Sequence, residues 1–201
     1  MPRKKSIKNS AQWFRAATDE ICTFVTNVAN GQSDQHVTWL YNYGIIRLYR
    51  EFESLVLDAL VGAINNDTAT VSARTSIQFP KHLTDEVCEF LIRGTGYFDF
   101  KGRSGLISTV KKFVPENHYL LTTIKKPIYR DALERLSALR NFAAHESDQS
   151  KRSALRAIDR KRIQSSGAWL KRATRFATIA DRLKDLATEI EMPHPTRRRP
   201  E

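Results

Sequence analysis

The sequence predicts an all-α fold, a helical bundle with a long second helix as its spine. Apolar residues recur at helical spacing from Val37 to Ala63, the strongest such pattern in the chain. The same spacing returns over 14–28, 128–143 and 169–190, and the runs are separated by capping residues and turn clusters. A length of 201 residues, 41% of them hydrophobic and 27% charged, suits one domain of helices with solvated outer faces.

Residues 1–9 are basic and polar and read as an arm; the helical domain is expected over 10–191 and a basic tail over 192–201. Ser10 can cap a first helix, with Phe14, Ala17, Ile21, Phe24, Val25 and Val28 inward and Gly31 just past its end. The second helix, 35–64, follows Ser33 or Asp34 and ends in Asn65, Asn66 and Asp67; Gly44 allows a bend or a close neighbour. Residues 67–83 are rich in Thr and Ser and read as a loop. Thr84 and Asp85 cap a short helix to Arg93, with Val87, Phe90 and Leu91 inward. A turn-rich connector, 94–102, follows, and its aromatics Tyr97, Phe98 and Phe100 are expected to plug the end of the bundle.

Ser104 can cap a helix over 105–113 that Pro115 stops, and 115–126 reads as irregular. Pro127 suits the first turn of a helix that carries Ile128, Ala132, Leu136, Leu139 and Ala143 on one face. The cluster 147–150 breaks the pattern, and Ser150 can cap a basic helix over 151–163. After 165–167 a last helix places Trp169, Ala173, Phe176, Ile179, Leu183, Leu186 and Ile190 inward. Trp13, Trp39 and Trp169 are all expected in the core, and no internal repeat is visible.

The formal net charge is +11, which points to an anionic partner. The surplus is uneven: residues 151–201 carry 14 Lys/Arg against 6 Asp/Glu, and residues 1–150 carry 19 against 16. On charge alone the segment 151–175 is the candidate nucleic-acid-binding surface, through Arg156, Arg160, Lys161, Arg162, Lys171 and Arg172, which would hold RNA under the resemblance described below. Cys22 and Cys88 sit in apolar patterns without metal-ligand spacing and are expected as buried thiols of a reducing compartment. No apolar run approaches the ~18 residues of a membrane span, and the first residues lack the apolar stretch of a signal peptide, so a cytoplasmic location is expected.

The chemistry concentrates in Arg140, Asn141 and His145. A guanidinium can hold two phosphate oxygens and stays charged, and an imidazole titrates near neutrality and can move protons. Five positions on a helix amount to ~500° of rotation, so Arg140 and His145 converge only if the helix ends or kinks near Ala144. Glu51, Glu53 and Asp58 on the spine helix are candidate carboxylates to orient either group. The spacing alone arises often by chance and more commonly marks a helix end, with His145 as a cap and Arg140 paired to Glu134 or to a carboxylate elsewhere. The remaining histidines, His36, His82, His118 and His194, have no metal-ligand spacing, and no metal or other cofactor is expected. Gly94 and Gly96 lack the preceding strand of a phosphate-binding loop, and no Ser or Cys sits in a nucleophile motif.

Residues 139–146, Leu-Arg-Asn-Phe-Ala-Ala-His-Glu, resemble the signature of the HEPN superfamily: Arg, a polar residue, then His after four to six positions at the end of a bundle helix. Residues 48–60, with Phe52 and Glu53 amid apolar positions, are similar to that family's second helix. The resemblance is closest to ribonuclease-like HEPN proteins of bacterial conflict and defence systems. It implies a homodimer with its Arg/His motifs at the dimer cleft, and metal-independent cleavage of RNA to a 2′,3′-cyclic phosphate. By position, Arg140 would contact the phosphate, His145 transfer protons and Asn141 support the cleft. Glu53 would be the helix-two acid, with Glu51 as the fallback. Other members are non-catalytic modules that bind a cognate antitoxin, a defence-complex protein or RNA, and some two-component systems transfer nucleotides.

Overall fold

The computed structural model describes residues 5–192 and is all-helical among them. The first helix, α1 (Ile7–Ala29), starts earlier than the sequence suggests, because Ser6 rather than Ser10 caps it, accepting the Asn9 N–H at 3.3 Å. Ser10 instead donates to Asp58 at 2.8 Å. Lys5 is held at three points: its Nζ lies 2.5 Å from both Asp58 and Glu89, and its backbone N–H donates to Asp85 at 2.7 Å. Residues 5–9 of the expected arm thus belong to the fold; residues 1–4, and 193–201 with His194, lie outside the described residues.

The spine, α2 (Asp34–Asn66), is 33 residues long, ~50 Å at 1.5 Å per residue. Ser33 caps it through the His36 N–H. Toward its end it is buried all round: every residue from Ala59 to Asn65 is inaccessible or nearly so, which makes it the axis of the core. It packs against α1 on one side and, on others, against α4 (Asp85–Arg93), α7 (Arg130–His145) and α9 (Ser166–Leu170). Gly44 marks a close approach: an added Cβ would lie 3.1 Å from Val25 and 3.2 Å from Phe176.

The expected loop over 67–83 contains α3 (Ala69–Thr75), and 115–126 contains α6 (Tyr119–Ile124), capped by the His118 Nδ1. Between them, α5 (Gly102–Val110) begins three residues before the predicted start, at a glycine with φ +64°. That positive φ favours glycine, and a Cβ there would also push aside the end of the Glu134 side chain, 2.6 Å away. Pro127 lies in a 3₁₀ turn (Pro127–Tyr129) leading into α7. Ser147, not Ser150, caps α8 (Asp148–Ala157). The expected last helix is two: α9, and α10 (Arg175–Glu191), separated by a corner where Ala173 and Thr174 adopt positive φ.

One continuous apolar cluster runs from Ala11 to Ile190. Each fully buried Leu, Ile or Phe in it contributes about 1.5–3 kcal/mol. Several residues expected inward are not: Trp13 is 77% exposed, Trp39 56% and Phe90 61%, and Phe24, Val28 and Val87 are also exposed. Of the connector aromatics Phe100 is buried and stacks near Tyr49 and Phe52, Phe98 is half-buried, and Tyr97 is exposed. Cys88 is buried, Cys22 is half-buried, and neither is in a disulfide. No helix among the described residues is long and apolar enough to cross a membrane.

Candidate functional site

Helix α7 carries the Arg/Asn/His residues, and it does not break at Ala144. It runs regularly through His145 and stops at Glu146, whose φ of 47° turns the chain into the left-handed region, its N–H closing on the Phe142 carbonyl. Of the two expected alternatives, an end or a kink near Ala144, the helix takes the end, but only past His145, so Arg140 and His145 stay ~140° apart around the axis. They still line one cleft of about 790 Å³, with Asn141 between them. The reason lies in the stripe Glu134, Ser137, Ala138, Asn141 and His145, which repeats every three or four residues and forms one wall. Arg140 stands at the edge of that stripe and reaches in with its long side chain. The other walls are Asp99, Lys101 and Gly102 from the start of α5, and Ser147 to Ala157 along α8.

Arg140 is fixed from two directions. Its Nη1 donates to Asn141 Oδ1 at 2.7 Å, and its guanidinium lies over the Tyr49 ring at 4.3 Å. Tyr49 is itself buried, and its hydroxyl is shared between Asp99 Oδ1 at 2.6 Å and the Phe100 carbonyl at 2.9 Å. Burial, with Asp99 second, pushes the phenol well above its ordinary range, so it remains a neutral platform. Tyr49 and Asp99 belong to the surroundings of Arg140, and sequence reasoning missed them. Tyr49 reads as one more core aromatic at helical spacing, and Asp99 sits in a connector without a pattern.

Glu53, one turn after Tyr49 on α2, is half-buried and has its carboxyl pushed up to about 7. Burial is the main cause, opposed by the Arg140 charge and reinforced by Asp99. Of the candidate acids it is the one coupled to Arg140. Glu51 pairs with Arg47 at 2.6 Å, and Asp58 is held by Lys5 and Ser10.

A stability test follows from Glu53. Below the ordinary carboxylate range near ~4.5 the group is protonated in both folded and unfolded chains. Between there and about 7 the unfolded chain releases its proton while the folded chain keeps it, so stability falls as pH rises through that window. Glu53→Gln, a neutral mimic of the acid form, is expected to stabilise the fold at pH 8 by about 1–2 kcal/mol, allowing for its half exposure. Urea unfolding at pH 8 and pH 4 checks this: the difference from wild type should vanish at pH 4, and an equal difference at both would contradict the assignment.

The basic residues divide. Arg156 lines the cleft, and Arg160, Lys161, Arg162 and Arg172 are exposed beyond it. Lys171 departs from the expectation of an RNA-facing cation: its side chain is 8% exposed, with Nζ 2.6 Å from Asp34 and 2.8 Å from Thr38 Oγ1. It ties α9 to the start of α2. Trp169 is half-buried, with Arg175 over its ring at 4.7 Å. Among the described residues no group of three or more His, Cys, Asp or Glu could hold a metal ion. No family model matches the chain, and no curated protein or solved structure matches it.

Proposed function

We propose that the chain is an endoribonuclease of toxin or defence type, cytoplasmic and HEPN-like, which cleaves RNA without a metal at an Arg140/His145 site completed by a second copy. The observation that supports this most is the placement of Arg140, Asn141 and His145 on one cleft wall, with the guanidinium pre-set by Tyr49 and Asn141. Cleavage requires the 2′-oxygen to lose its proton and attack phosphorus while the 5′-oxygen leaves with a proton, giving a 2′,3′-cyclic phosphate. Arg140 holds the phosphate as its charge builds. His145, exposed in the cleft, transfers a proton. Glu53, with its carboxyl pushed up to about 7, is only about half ionised near neutrality and so opposes the Arg140 charge less than an ordinary carboxylate would.

The separation of the two groups on a regular helix favours a shared site, in which Arg140 of one copy works with His145 of the other. Labelled RNA in EDTA is the assay. Arg140→Ala and His145→Ala are each expected to lose at least ~10²-fold in rate. Mixing the two inactive variants should restore up to about a quarter of wild-type activity, because a two-fold dimer then holds one intact composite site in half of its molecules. Equal cleavage by wild type and both variants would remove the enzyme reading, and RNA binding without any cleavage would assign the chain to the non-catalytic modules.

A further inference from the structure

The cleft is longer than the Arg140 site needs, and its two ends differ. His145, Ser147 and Gln149 stand at one end. Two hydrogen bonds place Lys101 and Arg156 at the other. The Gly102 N–H donates to Ser137 Oγ at 3.0 Å, which sets Lys101 beside that turn of α7. The Arg135 Nε donates to the Ala157 carbonyl at 3.3 Å, which sets the end of α8, with Arg156, beside the same turn. From Ser137 to His145 is eight residues, or ~12 Å along the axis. One phosphate cannot touch both ends.

Charge sharpens the difference. The two carboxylates that line the cleft are engaged: Asp99 accepts from the Tyr49 hydroxyl, and Glu134 accepts the Arg103 N–H at 3.1 Å. Neither bond is to a cation of the cleft. Neither Lys101 nor Arg156 forms an ion pair among the described residues, and the one side-chain bond Arg156 makes is to Ser153 in its own helix, at 3.3 Å. Three cations, Lys101, Arg140 and Arg156, line this concave site against two carboxylates, Asp99 and Glu134, and the positive surplus favours an added anion.

We infer that Lys101 and Arg156 form a second phosphate subsite, which takes the phosphate next to the one at Arg140. The inference rests on the RNA reading and narrows it: the substrate is a single strand with at least two successive phosphates in the cleft, not a lone nucleotide or a dinucleotide with one linkage. Arg156 then acts inside the cleft, apart from the exposed cations that follow α8. Lys101, in an unpatterned connector, becomes its partner.

The probe is a fluorescent 2′-deoxy trinucleotide, which has two linkages and no 2′-hydroxyl to react. Two further versions each have one linkage replaced by an uncharged methylphosphonate. On the wild-type full chain, neutralising either linkage is expected to weaken binding about 10-fold, the effect of one charge-assisted hydrogen bond. On the Lys101→Gln/Arg156→Gln chain, neutralising one of the two should no longer matter, and the slope of log K against log salt should flatten by about 0.7 for each phosphate the protein no longer neutralises. Lys112→Gln, outside the cleft, should behave as wild type. The subsite is overturned if both linkages keep their weight in the double variant, if only one matters in wild type, or if the probe does not bind. These outcomes do not depend on cleavage, so a chain that cuts RNA yet fails here loses the subsite alone.

Discussion

Arg140→Lys is expected to lower the rate of RNA cleavage by about 10²–10³-fold while leaving net charge unchanged. The size of the loss follows from what holds the guanidinium. Its Cζ lies over the Tyr49 ring, 4.3 Å from the centroid, and Nη1 is bound to Asn141 at 2.7 Å, so the group is held at two points where it lines the cleft. A lysine has no plane to stack and no fork to offer two phosphate oxygens together; its ammonium is a point charge on a flexible stem. The positive charge stays and its direction is lost. Low-salt RNA binding should therefore change little while the rate at saturating RNA falls. A lysine variant within about threefold of wild type would show that charge alone suffices and that the Tyr49 platform is incidental.

Gly167→Ala is expected to destabilise the fold by about 3 kcal/mol. An alanine Cβ would lie 1.9 Å from the Thr38 carbonyl oxygen and 3.0 Å from Asn42 Oδ1. The clash is with backbone of the spine helix, which cannot rotate aside as a side-chain end could. Moving α9 away would also stretch the bond from the Gly167 N–H to Asn42, now 2.6 Å. Urea unfolding should show a lower midpoint with an unchanged slope. The displacement should reach the site as well, because the neighbouring Ser166 hydroxyl donates to the Leu139 carbonyl at 2.7 Å, one residue before Arg140. A variant within about 0.5 kcal/mol of wild type would contradict this close approach.

How far sequence anticipated structure can be seen residue by residue. The spine and α7 were legible because their apolar spacing is long, and length averages out local ambiguity. The start of α1 was not, since Ser6 and Ser10 are equally good caps and the choice is made by Asp58, Asp85 and Glu89, which anchor Lys5 and Ser10 from elsewhere in the fold. Helical period also gives the direction of the buried face but not its width, so Trp13, Phe24 and Phe90 were assigned inward although they are exposed. In the site, Arg140, Asn141 and His145 could be read because they are neighbours in sequence. Glu51 and Glu53 could not be separated until the structure showed Glu51 turned to Arg47. Tyr49 and Asp99 are fifty positions apart, and only packing joins them.

The uneven placement of the three tryptophans has a spectroscopic consequence. Trp13 and Trp39 are mostly solvated in the folded chain, so unfolding changes their surroundings little. Trp169 is packed against the core under the Arg175 guanidinium, two residues from Gly167. The shift in intrinsic emission on unfolding should therefore come largely from this one indole, making the colour of the protein's fluorescence a local gauge of whether α9 is seated on the spine. Far-UV circular dichroism reports all the helices together. Where the two signals part company along a denaturant series, the seam that supports Arg140 is letting go before the bundle does.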